Sequence, residues 1–225
     1  MNQPLSLCLR TETSSAHEDA EGSAFVEQLM GGLACRPAFV ALAAQQLVIY
    51  RALEEVLWGE YADHPLVAPV LDHRLDRVAA LEQDLAHFAG EDFDARLASG
   101  EIHVVAAAED YARTLRTSHT PEAMLAHHYV RYLGDLSGGQ IIARMVQRHY
   151  GIDAAGLHFY RFAEIPKPKP YKDAYRATLD ALDVDADTRR RVVDAAVDSF
   201  ELNRRVFADL GAARVPEHAA AGGPA

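Results

Sequence analysis

The sequence predicts an all-α protein organised as one domain over residues 5–211. Three observations carry that expectation. Apolar residues recur at spacings of three and four through most of the chain, alanine is abundant, and runs of β-branched residues are short and few. At 225 residues the chain can enclose one sizeable core without needing a second domain.

The elements follow in order. A first helix is expected over residues 5–30, ended by Gly31-Gly32. A second opens at Arg36-Pro37, because proline suits the first helical turn, and its core face reads Phe39, Ala43, Leu47, Tyr50, Leu53 and Leu57. Asp63-His64-Pro65 and Pro69 interrupt the pattern. Residues 70–88 resume it, with Leu71, Leu75, Val78, Leu81, Leu85 and Phe88 at helical spacing. Gly90 and Gly100 bracket a short segment around Phe93 and Leu97, and a further helix is expected over residues 101–116. Thr120-Pro121 reads as an N-cap followed by an N1 proline, opening a helix that runs to Tyr150 and stops at Gly151. Residues 151–170 read as irregular, since the alternating prolines of IPKPKP exclude regular helix. Helices over 171–182 and 188–210 complete the set, the last with Asp187 as N-cap and Gly211 as stop. The Ala- and Gly-rich residues 212–225 are expected to be a disordered tail.

Charge excludes some partners. With 22 Lys+Arg against 33 Asp+Glu the formal charge is -11, which opposes non-specific attraction to nucleic acid or an anionic membrane. Cys8 and Cys35 form no metal-binding pattern, and no basic n-region with a following apolar run marks a signal peptide. No apolar stretch is long enough to span a bilayer, so the expected setting is the cytoplasm, with no membrane anchor.

The stretch YVRYLGDLSGGQ, residues 129–140, sets three glycines inside the expected 121–150 helix. Together they cost a helix about 2–3 kcal/mol relative to alanine, so something must lie close to the backbone in compensation. A tightly packed helix and a ligand against bare peptide groups both satisfy that, and spacing leaves the two open. Gly134 and Gly138 share a helical face. No strand precedes them and no Gly-Lys-Ser/Thr follows, so neither phosphate-binding fingerprint is met. Asp135 adjoins that face with Arg131 one turn earlier, a pair that equally reads as an i,i+4 ion pair.

Arg10, Ser14, His17 and Glu21 fall at i, i+4, i+7 and i+11, one line along the expected first helix. A histidine there can give one nitrogen to a metal while Glu21 holds the other, although a solvated or core histidine is the plainer reading. No HExxH and no repeated Glu-x-x-His occurs, so a multi-ligand zinc or di-iron site is poorly supported. Lys172 and Arg176, with Tyr175 beside them, suit two anionic groups on one edge of a ligand, or a solvated surface. Phe200, Asn203 and Phe207 fall at i, i+3 and i+7, and the asparagine is the unexpected member of an otherwise core-like stripe. A histidine, a glycine-lined face, cations and aromatics together suggest an iron porphyrin held between two helices.

The residues resemble the heme oxygenase family. YVRYLGDLSGGQ is similar to that family's signature over its whole length, and AHEDAE, residues 16–21, resembles the region of its iron-ligating histidine. YKDAYR and SFELNRRVF follow in the right order, so the resemblance covers about residues 5–210. It implies an all-α fold with heme b, both prosthetic group and substrate, between a proximal helix and a kinked distal one. His17 becomes the iron ligand, with Glu21 on its free nitrogen. Gly134 and Gly138 give clearance for dioxygen, the co-substrate, while Gly139 helps the helix bend. Asp135, assisted by Arg131, organises the distal protons. Arg10, Tyr129, Lys172 and Arg176 match the residues that hold the heme propionates, and Phe200, Asn203 and Phe207 match the pocket wall. The implied reaction opens the ring, with the α-meso carbon expected, to biliverdin, carbon monoxide and ferrous iron. Its electrons come from a ferredoxin or flavodoxin with a reductase. The polar end of the chain points to a soluble, bacterial-type member. The alternative is a heme-binding protein for storage or transfer, which needs His17 and the basic residues but neither Asp135 nor the glycines.

Overall fold

The computed structural model describes residues 3–117 and 119–213, and among them all regular structure is helical. The expected first helix is three: α1 (Leu5–Glu12), α2 (Ser14–Glu21) and α3 (Ala24–Met30). Hydroxyl side chains make the first break. Thr11 and Thr13 donate to the carbonyls of Leu7 and Leu9 at 2.9 and 2.6 Å, Ser14 donates to Thr11 at 3.0 Å, and Thr13 leaves helical geometry at φ −102°, ψ 3°. Such back-bonding competes with the helical ladder. The second break is Gly22-Ser23, where Ser23 turns extended at ψ 141°. Arg10 therefore belongs to a different helix from Ser14, His17 and Glu21, and the single line of four is broken.

α4 (Arg36–Glu60) opens with proline in its first turn and buries all six residues of its expected core face. The helix expected over 70–88 is shorter. Two 3-10 turns, Ala68–Val70 and His73–Leu75, precede α5 (Val78–Ala89). The Glu54 carboxylate accepts the N–H groups of both Arg77 and Val78, capping α5 from a distant helix. α6 (Phe93–Ala98) falls between Gly90 and Gly100 as expected. α7 (Ala106–Thr117) starts later than the pattern suggests. The Gln45 amide donates to the His103 carbonyl at 3.0 Å and accepts the Val105 N–H at 2.9 Å, so those backbone groups are spent outside a helix.

α8 (Pro121–Tyr150) is unbroken from its Thr120 cap, which accepts the Ala123 N–H, to Gly151 in the left-handed region at φ 61°. α9 (Pro168–Asp180) begins three residues before the expected point. Its prolines lie in the first turn, where N–H groups have no helical acceptor anyway. α10 (Ala186–Ala212) is capped by Asp185, which accepts the Thr188 N–H at 2.7 Å, rather than by Asp187, and runs through Gly211. Of the expected tail, residues 214–225 lie outside the described residues.

α10 packs along α8 and touches α2, α3 and α7, while α4 packs on α5 and α7. The core between them holds fully buried Tyr50, Tyr111 and Tyr132 beside the leucines. The short α2–α3 pair is thereby held across from the middle of α8, leaving a gap.

Candidate active site

That gap is a cavity of about 360 Å³. One wall is His17, Ala20 and Glu21 of α2 with Val26, Leu29 and Met30 of α3; the other is Val130, Arg131, Gly134, Asp135 and Gly138 of α8. Leu42 and Gln46 of α4, Phe159, Tyr160, and Phe200, Asn203 and Phe207 of α10 close it. Most of the lining is apolar; Gln46, Arg131, Asp135 and Asn203 supply polar groups at and beside α8, and His17 and Glu21 supply them on the α2 wall.

The glycines divide by what faces them. A Cβ built on Gly134 or Gly138 meets no neighbouring atom within 4 Å, so the helix-packing explanation fails for both. A Cβ on Gly139 comes within 3.0 Å of the Tyr160 ring. Gly139 is thus a close-packing position, which supplies a physical reason for glycine there beside the expected bend.

Arg131 and Asp135 do not form the i,i+4 ion pair. Arg131 donates to Asn203 Oδ1 at 2.8 Å and to Gln46 Oε1, and its guanidinium lies 4.7 Å over the Tyr50 ring. Its Nε is buried with no hydrogen-bond partner. Asp135 instead accepts the Tyr50 hydroxyl. Burial pushes the Asp135 carboxyl above the usual carboxylate range, while Arg131, the Tyr50 hydrogen bond and Arg77 pull it back. Burial likewise raises the Tyr50 phenol, and the Asp135 charge raises it further. A carboxyl raised by burial keeps its proton to higher pH than a free one, which suits it to carry a proton into the cavity nearer neutrality.

Across the cavity, His17 is half-exposed and its ring meets Phe200 edge-on at 5.4 Å. Glu21 Oε1 lies 3.6 Å from His17 Nε2, beyond hydrogen-bond length. The implied Glu21 contact is therefore loose in this structure. Phe207 stacks on Phe25 with centroids 6.3 Å apart.

Arg10, Tyr129, Lys172 and Arg176 do not line the cavity itself. They gather beside it. Burial raises the Tyr129 phenol and the charges of Arg176 and Arg10 lower it, while Lys172 donates to Ser137, next to Gly138, at 2.9 Å. Burial and the neighbouring Arg176 charge lower the Lys172 ammonium.

Sequence reading missed Tyr50, Gln46, Phe159 and Tyr160. Tyr50 was legible only as core, although a buried phenol must find an acceptor. Phe159 and Tyr160 lie in an irregular segment with no periodic signal. It is pinned by Asp84, which accepts the N–H groups of His158 and Phe159 at 2.7 and 2.9 Å. Arg77 donates to the carbonyls of Phe159 and Arg161 at 3.2 and 3.0 Å, and Gln140 to that of Tyr160 at 3.0 Å.

Known proteins share this fold. The heme oxygenase family model matches residues 3–209. The chain is 34% identical over 212 residues to heme oxygenase 1 of Synechocystis sp., covering 93% of this chain and 86% of that protein. It is 36% identical over 215 residues to heme oxygenase 1 of Gallus gallus, covering 93% and 71%. The crystal structure of heme oxygenase-1 from Synechocystis in complex with heme superposes with a TM-score of 0.86 at 33% identity, covering 93% of each chain.

Proposed function

Because the chain belongs to the heme oxygenase family, we propose that the cavity between α2 and α8 receives heme as the substrate. The family's reaction, cleavage of heme to biliverdin, carbon monoxide and ferrous iron, is the function of this protein. The residues present fit the group. Gly134 and Gly138 leave unfilled space opposite His17, and Arg131 keeps an unpartnered buried Nε on the same wall. That open glycine face opposite a histidine is the observation that carries the assignment.

When bound, heme supplies an iron for dioxygen and electrons and the ring carbon that is oxidised. His17 would hold the iron through an imidazole nitrogen, with Glu21 one turn on and 3.6 Å from its Nε2 as the carboxylate to orient it. Gly134 and Gly138 keep side-chain bulk away from the oxygen. Asp135 delivers protons from a position fixed by the Tyr50 hydroxyl. Arg131 is held by Asn203 and Gln46, so its charge stays beside Asp135 and bounds how far that carboxyl rises. Phe200 and Phe207 exclude water along the α10 side. Arg10, Tyr129, Lys172 and Arg176 would hold the two propionates and so select the ring edge that is oxidised, the α-meso edge on this reading.

On the same reading the working domain spans residues 5–211, electrons come from a ferredoxin or flavodoxin with its reductase, and the setting is the cytoplasm. Among the described residues no helix is long and apolar enough to cross a membrane. The test is reconstitution with one equivalent of hemin, addition of a reducing system, and optical detection of biliverdin. Hemin that binds and survives reduction in air would instead indicate storage or transfer.

A further inference from the structure

α9 packs on α1, α8 and the Ala68–Val70 turn with few buried side chains. Only Tyr175 and Leu179 of its 13 residues are buried. With Tyr171 they form one stripe at i, i+4 and i+8, while Lys172 and Arg176 lie one residue further round. Two phenols on that stripe are tied to the body. Tyr171 donates to Asp72 Oδ2 at 2.8 Å. Tyr175, 5% exposed, shares a 2.7 Å hydrogen bond with Nδ1 of His128, 1% exposed, and the two rings are parallel within 5°. His128 belongs to α8 and is followed directly by Tyr129, which senses the charges of Arg176 and Arg10.

We propose that His128 and Tyr175 are a positioning pair that sets the rotation of α9 about its axis, and with it where Lys172 and Arg176 meet the carboxylates of the bound heme. The inference rests on the heme reading of the cavity. With two of its residues buried, α9 relies on directional hydrogen bonds as well as packing for its azimuth, and His128–Tyr175 is the buried bond among them. A buried phenol and imidazole have one favourable arrangement, because either group left unpaired costs more than the bond itself contributes. Basic side chains on a loosened α9 hold the substrate in more than one rotation, and each rotation presents a different ring edge to the oxygen.

The experiment compares four proteins reconstituted with hemin: the parent, Tyr175→Phe, the double variant His128→Leu/Tyr175→Phe, and Ser6→Ala. Ser6 donates its backbone N–H and its hydroxyl to Asp180 at the far end of α9, at 2.8 and 2.9 Å, and Ser6→Ala removes the hydroxyl bond, so it controls for loosening of α9 by loss of one hydrogen bond elsewhere. Proton NMR of the cyanide complexes counts the seatings of the heme without turnover, and chromatography of the bilin products reports the ring edge opened. The parent and Ser6→Ala should show one dominant seating. In Tyr175→Phe the minor seating should rise about fivefold, the worth of one neutral hydrogen bond, with minor bilins rising in step. Tyr175→Phe keeps the ring and its packing, so it decides the matter even where the double variant fails to fold. Equal seating ratios in parent and Tyr175→Phe, with hemin bound in both, overturn the pair alone. A parent that binds no hemin overturns the pair together with the heme reading.

Discussion

The Tyr50 hydroxyl donates to the Asp135 carboxylate across the boundary between α4 and α8, two residues 85 positions apart in the chain. The bond fixes the orientation of a carboxyl that burial has already raised above its ordinary range. Replacing Asp135 with Ala should leave hemin binding intact and lower ring oxidation about 10²–10⁴-fold, the usual worth of a positioned acid. Tyr50→Phe leaves the carboxyl but frees it, so the loss should be smaller, about ten- to a hundredfold. Biliverdin formed at the parent rate by Asp135→Ala removes the carboxyl from the reaction.

His17→Ala should abolish the imidazole-ligated spectrum of the hemin complex while leaving the apoprotein folded. The side chain is half-exposed and makes one ring contact, with Phe200, so little packing is lost with it. Added imidazole should restore the spectrum, and an unaltered spectrum in the variant shows that another group holds the iron.

Alanine at the three glycines should separate their roles. Gly134→Ala and Gly138→Ala meet empty space, so the apoprotein should gain about 0.5–1 kcal/mol of helix stability. Hemin affinity in both should fall by about 1–3 kcal/mol, as expected when bulk enters a close-packed contact. Gly139→Ala pushes into a Tyr160 ring whose backbone Gln140 holds, and should instead cost the apoprotein about 1 kcal/mol net. Urea unfolding of the apoproteins and hemin titration give the two readings.

Stability should depend on pH through buried groups of opposite sign. Burial lowers His128 from 6.5 to about 3, so the unfolded chain takes up its proton first. Its contribution is complete above pH 6.5 and is lost as the pH falls toward 3. Burial raises Glu54 from 4.5 to about 7, so its contribution is complete below pH 4.5 and is lost as the pH rises through 7. Between pH 5 and 6.5, His128→Leu should reduce the gain of stability with pH by roughly one proton, and Glu54→Gln should increase it by about as much. Urea midpoints over that window measure both, and parallel slopes in all three proteins contradict the burial of these groups.

Local signals carried much of the fold. Thr120-Pro121 and Gly151 bound α8 because a cap and a left-handed stop act within one turn. The core face of α4 was legible because burial follows helical period. Two boundaries failed where a distant side chain took the backbone groups, Glu54 at the start of α5 and Gln45 before α7, and a third where local hydroxyls did so at Thr13. The threonines and serines of residues 11–15 were a readable warning of that last break.

By itself the sequence determined an all-helical chain, the glycine face of α8, and a histidine with a carboxylate one turn on, since each depends on residues within a few positions of one another. Only the tertiary structure decided that Asp135 answers to Tyr50 rather than Arg131, that Arg131 answers to Asn203 and Gln46, and that Gly139 faces a ring while Gly134 and Gly138 face space. Those choices are contacts between helices remote in sequence. No period or spacing records them, and the packing of α4, α8 and α10 sets each one by bringing a single partner within reach.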